Sequence, residues 1–255
     1  MSTLAPHLDL SVVVPAYNET ARIAPTLQKL HAFLETQDSR YEIIVVDDGS
    51  SDGTAEHVER LAIPHVRVIR SRPNRGKGAA VRTGMLDARG LVRVMCDADG
   101  SMPPDELPKL LARLATGEYE IAIGSRYAPG AAANTSQPKW RVWWSRLCNK
   151  VIQRSLVPGV TDTQCGFKAF TAHAARDLFG RARINGWAFD LEVLALARRR
   201  GWAIAEVGVS WTDDRRSRVN PLKDMWKVVR EALTIRKNLR TGVYELPAGA
   251  EPAIS

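Results

Sequence analysis

The sequence predicts an α/β fold, a mostly parallel sheet flanked by helices, and three observations lead there. Short runs rich in β-branched residues alternate with amphipathic stretches through the first half of the chain. Acidic clusters stand at the ends of several of those runs, where open α/β sheets gather their ligands. The 255 residues are 45% hydrophobic, enough for one substantial core.

Strands are expected at 10–15, 43–47, 66–69, 91–96 and 121–124, each a short apolar run bounded by polar or turn-forming residues. Helices are expected between them at 20–34, 54–61, 78–88 and 104–115. Pro103 and Pro104 suit the start of the last of these, with Asp105 and Glu106 in its first turn, where acids complement the helix dipole. Residues 8–125 therefore read as a nucleotide-binding half. Beyond Gly124 the pattern changes to a polar loop at 128–138 and a Trp- and Arg-rich helix at 140–154. A helix at 187–200, a strand at 203–211 and a basic helix at 221–240 follow. No repeat and no linker divides residues 1–244, which are expected to form one domain. Residues 245–255, rich in Ala and Pro without periodicity, read as a flexible tail.

Thirty-six Lys and Arg against 28 Asp and Glu give a net charge of +8. That balance favours an anionic partner: nucleotide, nucleic acid or acidic lipid surface. No nucleic-acid recognition motif is visible, so nucleic acid is not expected as the partner. Cys96, Cys148 and Cys165 are odd in number and lack any CxxC pair, so reduced, buried thiols are expected rather than disulfides or a zinc site. No apolar run is long enough to span a bilayer or to form a signal peptide, which points to the cytoplasm.

Two polar clusters should flank one crevice, the first strand's end at Val14-Pro15-Ala16-Tyr17-Asn18-Glu19 and the second's at Val46-Asp47-Asp48-Gly49-Ser50. Asp48 is read as a ligand contact, its carboxylate accepting from a base or ribose. Ser50, Ser51 and Asp52 either join it or cap the next helix. Asn74-Arg75-Gly76-Lys77-Gly78 opens a helix with two glycines. It either brings backbone amides and Lys77 to an anion or is a glycine turn with solvated basic side chains. Asp97-Ala98-Asp99-Gly100 follows an apolar strand directly. In extended chain the i, i+2 spacing puts both carboxylates on one face, a hard-oxygen pair suited to Mg²⁺ or Mn²⁺ beside a diphosphate.

With these motifs the sequence resembles family 2 glycosyltransferases of the GT-A fold, specifically their dolichyl-phosphate (polyprenyl-phosphate) β-glucosyltransferase branch, close to the dolichyl-phosphate mannose synthases. The resemblance runs through residues 13–19, 45–54, 74–85, 97–100, 124–126, 162–170 (DTQCGFKAF), 187–192 (WAFDLE) and 207–218. It implies a GT-A sheet with a C-terminal acceptor-binding, membrane-facing helical region at 126–244. It implies that Pro15, Tyr17, Glu19, Val46, Asp48 and Lys77 contact the nucleotide sugar. Asp97, Ala98, Asp99 and Ser101 would surround metal and diphosphate, with Asp97, Asp99 and Ser101 as the metal set. Arg126, Lys168, Ser217 and Arg218 would face the acceptor phosphate, and Asp99, Arg126 and Lys168 would carry catalysis. Where the family's final motif has Gly-Ser-Lys, this chain has Arg216-Ser217-Arg218, which keeps the charge and loses the glycine.

The implied reaction is inverting transfer of a sugar, glucose from UDP-glucose, to a polyprenyl or dolichyl phosphate. Such an acceptor needs no general base, because a phosphate monoester is largely anionic at neutral pH. Asp190 and Glu192 are either a base in reserve or first-turn acids of a helix. Asp162 is either an orienting partner of Lys168 or a turn residue. Trp140, Trp143 and Trp144 among cations, and Trp226 in the last basic helix, are either core residues or contacts to a membrane on which the protein sits peripherally. A homo-oligomer remains open. Mannosyl or N-acetylglucosaminyl transfer is the alternative activity, and a catalytically inactive scaffold the alternative of another class.

Overall fold

The computed structural model describes residues 8–134, 156–212 and 221–245. The expected helix at 140–154 with its three tryptophans, Cys148, Ser217, Arg218 and the tail after 245 lie outside the described residues.

The elements run β1 (Leu10–Ala16), α1 (Ile23–Leu34), β2 (Tyr41–Asp47), α2 (Thr54–Leu61), β3 (Val66–Arg70), α3 (Lys77–Asp87), β4 (Val92–Cys96), a 3-10 turn Pro104–Glu106, α4 (Leu107–Ala115), β5 (Ile121–Ser125) and β6 (Ala132–Asn134). There follow β7 (Phe167–Thr171), α5 (Ala172–Arg181), α6 (Phe189–Arg200), β8 (Ile204–Gly208), β9 (Ser210–Thr212) and α7 (Pro221–Thr241). Seven strands form one sheet in the order β3-β2-β1-β4-β7-β5-β8, and β6 pairs with β9 in a small second sheet. The β-branched runs of β1, β2 and β4 are buried on both faces, as parallel strands between helix layers must be.

Alternation along the strands sorts the core into two layers. Val13, Ile44, Val46, Met95 and Phe170 meet Val81 and Met85 of α3, Leu178 of α5, Leu194 of α6 and Ile235 of α7. Val12, Val14, Ile43, Val45 and Val94 face Leu27 and Leu30 of α1 and Leu110 of α4.

Three elements went unread in the sequence: β6, inside the stretch expected as a loop at 128–138, then β7 and α5. β7 is antiparallel and sits between β4 and β5, pairing Met95 and Ile123 with Lys168. A lysine in mid-strand does not advertise a central buried strand; here its charge is matched within the protein. α5 follows it at once. The expected strand at 203–211 is divided, because the chain crosses from the main sheet to the small one between β8 and β9. The first helix starts at Ile23 rather than residue 20, the preceding residues being spent on contacts with the β2–α2 loop.

Candidate active site

Sheet order reverses direction of growth at β1 and β4, so a crevice opens beyond their carboxyl ends. The loops after β1 and β2 are laced across it. Asn18, in a left-handed conformation at φ 56°, donates its amide to Ser50 Oγ at 2.9 Å and accepts the Ser51 amide on Oδ1 at 2.9 Å. The Glu19 amide donates to Thr54 Oγ1 at 2.9 Å. The two serines thus tie one loop to the other, and neither caps α2; it is Asp52 whose Oδ1 accepts the amide of Thr54, the first residue of that helix, at 3.0 Å. Tyr17 stands 50% exposed at the mouth, and Glu19 holds Arg22 through both its oxygens. Pro15 and Val46 are buried neighbours in the sheet. Val46 packs into the core with Val13 and Met85, so its side chain is not available to a nucleoside. Pro15 lies past the end of the β1–β4 ladder, which stops at Val13↔Met95.

Asp48 is 2% exposed and already engaged. Its carboxylate accepts the amides of Arg75, at 3.0 Å, and Gly76, at 2.7 Å, while Asn74 Nδ2 donates to its carbonyl at 2.9 Å. It therefore organises the 74–76 loop. Its neighbour Asp47 is 1% exposed, and Oδ1 finds no hydrogen-bond partner among the described residues. Buried polar atoms without partners are rare enough to mark a place for a ligand donor.

The glycines of the next motif serve packing rather than an anion. The amides of Gly78 and Ala79, which open α3, both donate to the Asn185 carbonyl, at 2.8 and 3.3 Å. A Cβ on Gly78 would lie 2.6 Å from the Ile184 carbonyl oxygen and from Phe189 Cβ. The helix N-terminus is thus closed by the 184–186 backbone, and Lys77 reaches the aspartates that follow β4. Its ammonium stands 2.6 Å from Asp97 Oδ1 and 5.3 Å from the centre of the Trp187 ring. Burial works against that charge, but Asp97, Asp190 and Asp99 outweigh it and hold the lysine above its ordinary range.

β4 ends at Cys96, and Ala98 and Asp99 already lie in a turn. The carboxylates are therefore presented by a turn and not by strand alternation. Asp99 Oδ1 accepts the Ser101 amide at 3.0 Å, and Thr26 of α1 donates to the Ala98 carbonyl at 2.9 Å. Ala98 and Ser101 are themselves buried. Despite the nearby Lys77 ammonium, Asp97 Oδ1 accepts no directed hydrogen bond. A carboxylate oxygen met only by the Lys77 ammonium, beside a second aspartate, suits a hard divalent cation. No cluster of three or more His, Cys, Asp and Glu forms among the described residues, so the two aspartates would hold such an ion with diphosphate and water completing its shell.

Arg126 and Lys168 are both anchored. Asp162, fully buried, accepts from Arg126 Nε and Nη2, each at 2.8 Å, and from the Arg126 amide at 2.9 Å. Burial opposes the Asp162 charge, yet Arg126 holds the carboxyl below its usual range. The guanidinium lies between the Tyr127 and Trp211 rings, 5.7 and 5.3 Å from their centres. Lys168 is 1% exposed; its ammonium sits 2.5 Å from Asp190 Oδ1 and donates to the Cys165 carbonyl. It does not face the crevice as an open cation, and Asp162 orients Arg126 instead of it. Burial pushes the Asp190 carboxyl up against the pull of Lys168 and Lys77. Glu192, also buried, accepts the amides of Arg183 and Ile184 and the Tyr244 hydroxyl, so its role is structural. Cys96 and Cys165 are free and buried; burial raises both thiols, Cys165 to about 12.

A model of the family described as "Glycosyl transferase family 2" matches residues 11–179. The chain belongs to that family. It is 39% identical to a dolichyl-phosphate beta-glucosyltransferase of Trichomonas vaginalis, over 95% of this chain and 75% of the relative. The enzymes of that name from Homo sapiens and Saccharomyces cerevisiae are each 34% identical, covering 95% and 92% of this chain and 79% and 76% of theirs. Among solved structures, mannosyl-3-phosphoglycerate synthase from Rubrobacter xylanophilus superposes with a TM-score of 0.71 at 19% identity, covering 96% of this chain and 79% of that one. Glucosyl-3-phosphoglycerate synthase from Mycobacterium tuberculosis, in complex with Mn²⁺, UDP-Glc and phosphoglyceric acid, gives 0.68 at 22%, over 95% and 81%. The fold is therefore GT-A. Within this family site, sequence reading missed the segment 183–188, which Glu192 and Glu231 hold and which closes α3 through the Asn185 carbonyl. Only the aspartate pair at 47 and 48 left a readable signal for Asp47.

Proposed function

We propose that this family 2 member transfers glucose from UDP-glucose to a polyprenyl or dolichyl phosphate. The buried Lys168–Asp190 pair at 2.5 Å carries the reading. An alcohol acceptor requires a base to take its proton, and the best-placed acid is committed to a lysine. A phosphate acceptor makes no such demand. The name shared by relatives at 34–39% identity supports the same acceptor and sugar.

In this reading residues 1–244 act as one domain. Tyr17, Asp47 and the laced loops after β1 and β2 receive the nucleoside. Asp97 and Asp99 hold Mg²⁺ or Mn²⁺, which would offset the charge of the departing diphosphate. Lys77 adds a second positive charge beside them. Arg126, fixed by Asp162, meets the acceptor phosphate, joined by Ser217 and Arg218 from beyond the described residues. No helix among the described residues is long and apolar enough to cross a membrane, and we place the protein peripherally on a cytoplasmic membrane face, where its lipid acceptor lies.

The test is transfer by the purified chain from UDP-glucose, UDP-N-acetylglucosamine and GDP-mannose to a short polyprenyl phosphate, with Mn²⁺, Mg²⁺ or EDTA. Glucosyl lipid should form with UDP-glucose and divalent metal only. Equal turnover in EDTA would remove the metal assignment, and preference for another donor would replace the sugar.

A further inference from the structure

Helix α7 lies on the outside of the molecule, yet one of its residues reaches the segment that closes α3. Glu231 Oε2 accepts the Ala188 amide at 2.8 Å, and a Cβ on Gly186 would lie 1.9 Å from Glu231 Oε1. The carboxylate is thus pressed against the 186–188 backbone. That backbone carries Trp187, over which Lys77 sits, and continues back to Asn185, whose carbonyl takes the first amides of α3. A continuous set of contacts therefore links α7 to the lysine beside Asp97.

The outer face of α7 has its own composition. Val228, Ala232 and Ile235 are buried against the core, while Trp226 is 76% and Leu233 61% exposed. At 100° per residue, Trp226, Arg230, Leu233, Lys237 and Arg240 share one face, all exposed. Two large apolar side chains interleaved with three cations match an anionic lipid surface, which would bury the apolar pair while neutralising the charges. A protein partner would have to supply both features; a membrane of anionic headgroups does so without special shape.

We propose that docking of this α7 face on an anionic lipid surface is transmitted through Glu231 to residues 185–188, and so sets the position of Lys77 at the sugar-nucleotide site. Glu231 is here a positioning residue, acting through the backbone it holds. The inference rests on the membrane placement proposed above but requires no turnover.

Hydrogen exchange of the whole chain, read by mass spectrometry with and without vesicles, tests it. Vesicles of phosphatidylcholine and of phosphatidylcholine with phosphatidylserine are the probes, with co-sedimentation measuring binding. Anionic vesicles should bind the protein and slow exchange of peptides covering 183–190 and 76–81 by about threefold or more, as a tightened local structure requires. Neutral vesicles should do neither. Trp226→Ala with Leu233→Ala should lose binding and protection together. Glu231→Gln should bind anionic vesicles as well as the native chain but lose the added protection, and Glu231→Asp should recover part of it. Native protein that does not bind anionic vesicles, binding without protection, or protection unchanged in Glu231→Gln would each overturn the proposal. Donor binding measured separately, by calorimetry with UDP-glucose and Mn²⁺, reports on the proposed function independently.

Discussion

Lys168 and Asp190 form a buried ion pair, Nζ to Oδ1 at 2.5 Å, joining β7 to the first turn of α6. Two charges withdrawn from water this far are tolerable only together. Lys168→Met should therefore lower stability by about 3 kcal/mol or more by stranding Asp190, and Asp190→Leu should do the same by stranding Lys168. The double variant should lose distinctly less than the sum of the two. Urea melts of the four proteins measure this cycle. Simple additivity would mean that the pair does not exist in solution.

Asp99→Asn keeps an oxygen to accept the Ser101 amide, now at 3.0 Å, so the turn should persist. What is lost is the charge available to a divalent cation. The expected result is a fall in transfer on the order of a hundredfold, with an unchanged melting transition in the absence of ligands. Full activity would show that the wrong carboxylate has been named.

Much of the fold was legible because β1, β2 and β4 are buried on both faces and keep apolar stretches, Val12–Val14, Ile43–Val46 and Val94–Cys96, beside their few polar residues. β7 was not, because Lys168 interrupts its pattern and only its partner, 22 residues later, makes a buried lysine acceptable. The aspartate motif was legible as a pair of close carboxylates but not in its geometry: strand alternation was expected, and a turn held by Thr26 and Ser101 presents them. The 74–78 motif left its contact open for a related reason. Glycines announce a close approach without saying to what, and here the approaching group is the backbone of residues 184–186. The segment's contacts to α3, through the Asn185 carbonyl, and to Glu231 of α7 join residues far apart in sequence, so no local pattern could reveal them.

That contact makes Gly78 sensitive to a single methyl group. An added Cβ would sit 2.6 Å from the Ile184 oxygen and Phe189 Cβ, and 2.9 Å from the Gly186 oxygen. Gly78 is helical with no left-handed requirement, so Ala would otherwise favour the helix. Gly78→Ala should instead destabilise by about 1–3 kcal/mol. A thermal melt decides it: a raised transition would mean that the 184–189 segment does not rest on α3.

Acid should loosen the protein through Asp162. Its carboxyl is held below the usual range, burial opposing and Arg126 prevailing, so the folded state gives up this proton more readily than the unfolded chain. The stability it contributes is complete above the unfolded value, near pH 4, and declines as pH falls through the folded value. Asp162→Asn removes that contribution and leaves the Arg126 guanidinium without its two-oxygen partner, a loss of about 3 kcal/mol at neutral pH. The gap between native and Asp162→Asn stabilities should be constant from pH 7 to about pH 5 and shrink below about pH 4. Melts across that range give the curve. A gap that widened on acidification would mean that Asp162 is protonated in the native site and that Arg126 is held by something else.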